Sequence, residues 1–141
     1  ARTRQRHAAL GGAPLTLSGW SLGGFVAREV ARELPDIVEQ VITLGTPVQG
    51  GPKYTRAAPL YRRRGTDLDL IERSIIAREK NPIRCPVTAI TSPSDGIVDH
   101  AATIDRYNPS VKHIELDVSH LGMCFNPTIW RIIAETLDAP A

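Results

Sequence analysis

The chain has 141 residues, of which 42% are apolar and 23% charged, with a formal net charge of +2. That length gives one domain with a real core, and the composition excludes intrinsic disorder. No apolar run approaches the ~18 residues of a membrane helix, and eleven Gly and eleven Pro without period exclude collagen-like or low-complexity sequence.

The basic residues are mostly arginine and gather at Arg2, Arg4 and Arg6 and again at Arg62, Arg63 and Arg64. Nucleic-acid binding would need aromatics interleaved with such clusters. The seven aromatics do not interleave with them, so the clusters read as solvated surface and no nucleic-acid partner is expected. Cys85 and Cys124 are too few for a disulfide scaffold and read as free, partly buried thiols. The sequence calls for no cofactor and no transmembrane segment, and it does not reveal a compartment. It starts at Ala1 with no apolar leader segment to read.

In chain order, residues 15–20 (LTLSGW) read as a short strand. Residues 24–34 put Val26, Ala27, Val30, Ala31 and Leu34 on one helical stripe, with charges on the opposite face and Pro35 as the stop. Residues 41–46 (VITLGT) are apolar at nearly every position, as in a parallel strand buried on both faces. Strand, helix and strand then form a βαβ unit.

Residues 47–65 hold three Pro, three Gly and five basic residues without an acid, and read as a long irregular surface segment. Thr66 is the expected N-cap of a helix over 67–80, with Leu68, Ile71 and Ile75 on one face. That face fits a lid over a pocket as well as it fits packing on the sheet. Residues 86–92 and 111–117 are the third and fourth strands. Asn126-Pro127 opens a closing helix whose buried stripe is Ile129, Ile132, Ile133 and Leu137. The fold class is α/β, with a parallel sheet of about four strands and flanking helices.

Gly19-Trp20-Ser21-Leu22-Gly23 matches G-x-S-x-G between a strand and a helix, which is the setting of a nucleophile elbow. A turn that sharp strains the serine backbone and lifts its hydroxyl above the sheet. Gly19 and Gly23 are expected to relieve collisions across the turn, and Gly24 to let helix and strand approach. The Leu22 N–H, at the helix N-terminus, is the natural oxyanion donor.

A serine nucleophile needs a base, and the base needs an orienting acid. In this strand–turn–helix setting the chain order is Ser, acid, His, and the groups sit at the carboxyl ends of strands. Asp95 follows the third strand and is preferred to Asp99, four residues further on. His120 follows the fourth strand and precedes the last helix. His7 lies before the serine, His100 is too close to the acid loop, and His113 falls within a strand. A metal site from Asp95, Asp99 and His100 fits no ligand spacing.

These residues resemble the α/β-hydrolase fold in its bacterial lipase and esterase branch. The elbow Gly19–Gly24, Thr43-Leu44-Gly45-Thr46-Pro47, Ser94-Asp95-Gly96-Ile97-Val98 and Ser119-His120-Leu121-Gly122-Met123 stand in that family's order. The resemblance covers about residues 15–138 and implies a triad of Ser21, Asp95 and His120, with residues 47–80 as a lid or cap-like insertion. It also implies further strands before residue 15, and a first oxyanion donor on one of their loops. The chain is therefore expected to be the carboxyl-terminal part of a longer hydrolase, with residues 1–10 as the end of the helix before the elbow strand. The implied activity is hydrolysis of a small-molecule or lipid acyl ester by an acyl-enzyme route. The alternatives are an acyltransferase or thioesterase with the same triad, or an inactive fragment.

Overall fold

The computed structural model describes residues 2–138. Four strands, β1 (Leu15–Trp20), β2 (Val38–Leu44), β3 (Val87–Thr91) and β4 (Val111–Glu115), form one parallel sheet in the order β1-β2-β3-β4. The order follows the chain, so each crossover moves one position along the sheet. The inner strands are the buried ones. All of β3 is buried, and β2 is buried at every residue except Glu39. The outer strands β1 and β4 are half-exposed, which suits sheet edges.

The α-helices among the described residues are α1 (Arg2–Ala9), α2 (Leu22–Glu33), α3 (Ala58–Arg63), α4 (Leu68–Arg78), α5 (His100–Thr103) and α6 (Pro127–Asp138). Two apolar clusters lie on opposite faces of the sheet. One joins Ala27 and Ala31 of α2 to Val38, Val41 and Val87. The other joins Ile129 and Ile133 of α6 to Ile42, Leu44, Ile90 and Met123. Successive residues of β2, Val41 and Ile42, feed the two clusters, as strand geometry requires.

Several details differ from the sequence expectation. β2 begins at Val38, three residues early, because Val38 pairs with Leu15 of β1. Residues 47–65 are not wholly irregular: they hold a 3-10 turn (Gly51–Tyr54) and α3. Asp67, not Thr66, caps α4, its carboxylate accepting the Leu70 N–H at 2.9 Å. The face of α4 does not meet the sheet as its main partner. It packs on the 3-10 turn, where Ile75 and Ile71 come closest to Gly51.

Val26 and Leu137, read as stripe residues, are more than half exposed. Conversely Arg28 and Arg32, read as part of the solvated face of α2, are buried. Arg28 forms an ion pair with Asp105 at 2.7 Å, and Arg32 with Glu79 at 2.9 Å. Asn126 does cap α6, accepting the Thr128 N–H at 2.9 Å. Both cysteines are free, and Arg2, Arg4, Arg6 and Arg62–Arg64 are exposed.

Candidate active site

Ser21 sits between the end of β1 and the start of α2, its N–H donating to Leu44 O at 2.8 Å across the β1–β2 pair. Its backbone has φ 54° and ψ −125°, and it is the one non-glycine residue at positive φ among the described residues. A side chain held there costs about 1–3 kcal/mol, a strain typical of functional turns. Leu22 opens α2, so its N–H has no partner within the helix and is free to donate outward.

The three glycines named for the elbow differ in what they do. A Cβ at Gly19 would collide with the backbone of Gly23 and Gly24. A Cβ at Gly24 would meet the Thr46 side chain and, at 2.8 Å, Gly19 O. A Cβ at Gly23 would meet nothing within 4 Å. The close approach therefore rests on Gly19 and Gly24, and the collision expected at Gly23 is absent because its Cα faces open space.

Asp95 lies in the loop after β3 and His120 in the loop after β4, both buried. His120 Nδ1 and Asp95 Oδ2 are 2.7 Å apart. A carboxylate only accepts, so this contact puts the proton on Nδ1 and leaves Nε2 as the free base. Asp95 Oδ1 accepts the N–H groups of Ile97 at 2.9 Å and Val98 at 2.6 Å, and Asp95 O accepts the His120 N–H at 2.9 Å. Asp95 is thus fixed on both carboxylate oxygens and tied to His120 by main chain as well. Among the described residues no hydrogen bond joins Ser21 Oγ to His120.

Asp99 is exposed and caps α5, its carboxylate accepting the Ala101 N–H at 3.0 Å. His113 Nε2 accepts the Asp105 N–H at 3.0 Å, and His100 lies 3.1 Å from Glu115. His7 is in α1. No group of three or more His, Cys, Asp or Glu among the described residues is placed to hold a metal.

Three residues that the sequence did not single out support the pair. Trp20 Nε1 donates to His120 O at 3.0 Å, and its ring centroid lies 4.9 Å from that of His120. Ser92 Oγ donates to Val118 O at 2.6 Å and accepts the Val118 N–H at 3.1 Å, stitching the acid loop to the histidine loop. Gly45, at φ 51°, lies under the pair, where a Cβ would stand 2.8 Å from Asp95 Oδ2 and 3.1 Å from His120 Nδ1. Trp20 and Gly45 stood inside quoted motifs, but their partners are 100 and 50 residues distant in the chain.

A cavity of about 90 Å³ opens against Ser21 and Leu22 under the segment 47–61. A wider one of about 490 Å³, with Lys53, Arg56, Asp99 and His100 in its walls, shares Thr55, Ile97 and Val98 with it.

Solved structures with this architecture cover nearly the whole chain. A lipase from Bacillus licheniformis in mature form superposes with a TM-score of 0.72 at 16% identity, over 96% of this chain and 70% of its own. The chain has the α/β-hydrolase fold. An esterase domain from Rhodothermus marinus superposes at 0.64 with 23% identity, over 94% and 62%. An alpha/beta superfamily hydrolase from Oenococcus oeni superposes at 0.64 with 13% identity, over 97% and 71%. The chain therefore spans about two thirds of the length of these structures. No protein-family model and no curated protein matches it by sequence.

Proposed function

We propose that the chain carries the acyl-transfer centre of a serine carboxylic-ester hydrolase of the lipase and esterase kind. The observation that carries this reading is the buried His120–Asp95 pair, 2.7 Å apart, at the same strand ends as a serine held at φ 54°. Ser21 is the nucleophile, His120 the base, Asp95 the orienting acid and the Leu22 N–H an oxyanion donor. Segment 47–80 is the cap over the pocket.

In the first half-reaction His120 Nε2 takes the Ser21 proton as Oγ bonds to the ester carbonyl carbon. The tetrahedral oxyanion is stabilised by the Leu22 N–H, a donor of the kind worth about 3–4 kcal/mol of barrier. The ester C–O bond then breaks, and the alcohol leaves with the proton held by His120. Asp95 keeps Nδ1 protonated throughout and stabilises the imidazolium. Water, deprotonated by His120, attacks the acyl carbon, and the bond to Ser21 Oγ breaks as His120 returns the proton to it, releasing the acid.

The reading is tested by incubating the folded chain with a fluorophosphonate probe and locating the label by peptide mass spectrometry. Ser21 is the expected site, and Ser21→Ala abolishes both labelling and turnover of a chromogenic ester. A folded sample that takes no label at Ser21 overturns it. An added acceptor alcohol separates hydrolysis from acyl transfer by its ester product.

A further inference from the structure

The segment above the nucleophile is fastened to the acid loop. Thr55 and Val98 form an antiparallel bridge, with the Arg56 N–H donating to Ile97 O at 2.8 Å and the Asp99 N–H to Tyr54 O at 2.9 Å. Ile97 and Val98 are the residues whose own N–H groups hold Asp95. Lifting the cap would therefore pull on the acid. From its other side the cap is held by α4. Lys53 Nζ lies 2.7 Å from Asp69 and 2.5 Å from Glu72, and Tyr54 Oη donates to Glu72 at 2.7 Å.

The space this roof leaves over Ser21 is small and carries no charged side chain. Its walls include Pro52, Thr55, Ala57 and Tyr61, and the Thr55 hydroxyl is already engaged with Pro52 O at 2.9 Å. The cavity over Ser21 measures about 90 Å³. Pockets for drug-sized ligands run to roughly 300–1,000 Å³. The neighbouring wide cavity has charged walls and does not suit an alkyl chain.

We propose that the cavity bounded by Ser21, Pro52, Thr55, Ala57 and Tyr61 is the acyl pocket and admits only short acyl groups, of about two to four carbons. This inference rests on the serine-hydrolase reading and adds to it the substrate class: short-chain esters rather than long-chain lipids. Tyr61 is the residue that sets the depth, because it is the largest side chain in the wall and belongs to α3, a single turn and a half of helix on the cap.

Two readouts separate the inference from the reading beneath it. Rates of Ser21 labelling are compared for ethyl and octyl 4-nitrophenyl phosphonates, and kcat/KM is measured for 4-nitrophenyl acetate, butyrate and octanoate. Octanoate is expected to fall at least about tenfold below butyrate, and the octyl probe to label correspondingly slower than the ethyl one. Tyr61→Ala raises the octanoate-to-acetate ratio by about fourfold for each methylene newly admitted. Ala57→Leu, which fills the pocket, lowers butyrate relative to acetate. Octanoate turned over as well as butyrate, with Ser21 labelled, overturns the short-acyl assignment. So do unchanged ratios in both variants. Absence of label from both probes in a folded sample overturns the hydrolase reading itself, and this inference with it.

Discussion

At the scale of single residues, the site is built by what cannot be accommodated. Gly45 has no room for a Cβ beneath Asp95 and His120 and sits at φ 51°. Gly45→Ala is therefore expected to displace the pair: fluorophosphonate labelling should fall steeply and stability by about 1–3 kcal/mol in urea unfolding. The elbow glycines provide an internal contrast. Gly23 is inside α2 with open space around it, so Gly23→Ala should stabilise by about 0.5–1 kcal/mol through helix propensity. Gly24→Ala should destabilise, because its Cβ drives into Thr46 and Gly19 O. Equal melting temperatures for the two variants would contradict this division. The carboxylates give a second contrast. Asp95→Asn should cost about 10⁴ in kcat, the scale of losing the acid of a triad. Asp99→Asn touches only an exposed cap and should leave kcat within a few fold.

At the scale of elements, α2 shows both what the sequence discloses and what it withholds. Its register is legible: Ala27 and Ala31 are core, and Pro35 lies beyond the stop. The fate of its arginines is not, because burial of Arg28 depends on Asp105 and Glu79, which are supplied by distant elements. A periodic pattern reports polarity, and a paired charge inside looks the same as a solvated one. The same limit hid Ser92, whose partners are 26 residues on. The order Ser21, Asp95, His120 was readable because each of these residues follows a strand end, which is a local signal. Segment 47–65 was legible as a Pro- and Gly-rich stretch, yet its two short helical pieces and their tether to Ile97 are tertiary.

The Arg28–Asp105 pair leads to a pH prediction. Burial opposes ionisation of Asp105, but the Arg28 charge, the Tyr107 N–H and the Asn108 amide outweigh it and hold its carboxyl below the ordinary 3.8. The unfolded chain then takes up the proton first as pH falls. The pair's contribution is whole above that ordinary value and is lost as pH drops below it. Urea midpoints followed from neutrality to about pH 2 should fall most steeply in that acid range. Asp105→Asn should lower the neutral plateau and flatten the acid limb. Arg28 is then left with Glu79 alone, 3.8 Å away and shared with Arg32, so the neutral loss should be a large part of the cost of a broken buried pair, about 3–5 kcal/mol.

At the scale of the whole molecule, the sheet separates two cores that answer to different faces. The α2 cluster, with Val41 fully buried, lies on one side. The α6 cluster lies on the other and includes Met123, also fully buried. Met123 belongs to the short 3-10 turn that follows His120, and its Sδ would stand 3.0 Å from a Cβ on Gly45. The loop that carries His120 is therefore seated on one core and not the other. Met123→Ala and Val41→Ala each delete fully buried atoms, so both should destabilise, the former by about 2–5 kcal/mol and the latter somewhat less. Their effects on chemistry should part. A cavity at Met123 opens beside Gly45 and the His120–Asp95 pair, so Ser21 labelling should slow by more than the unfolded fraction accounts for. A cavity at Val41 opens beneath α2 and away from the pair, so labelling per folded molecule should stay within about twofold. The comparison is made below both melting transitions, with folded fraction measured by circular dichroism in the same samples. Equal labelling losses in the two variants would mean that the site is carried by the sheet as a whole rather than by the α6 core.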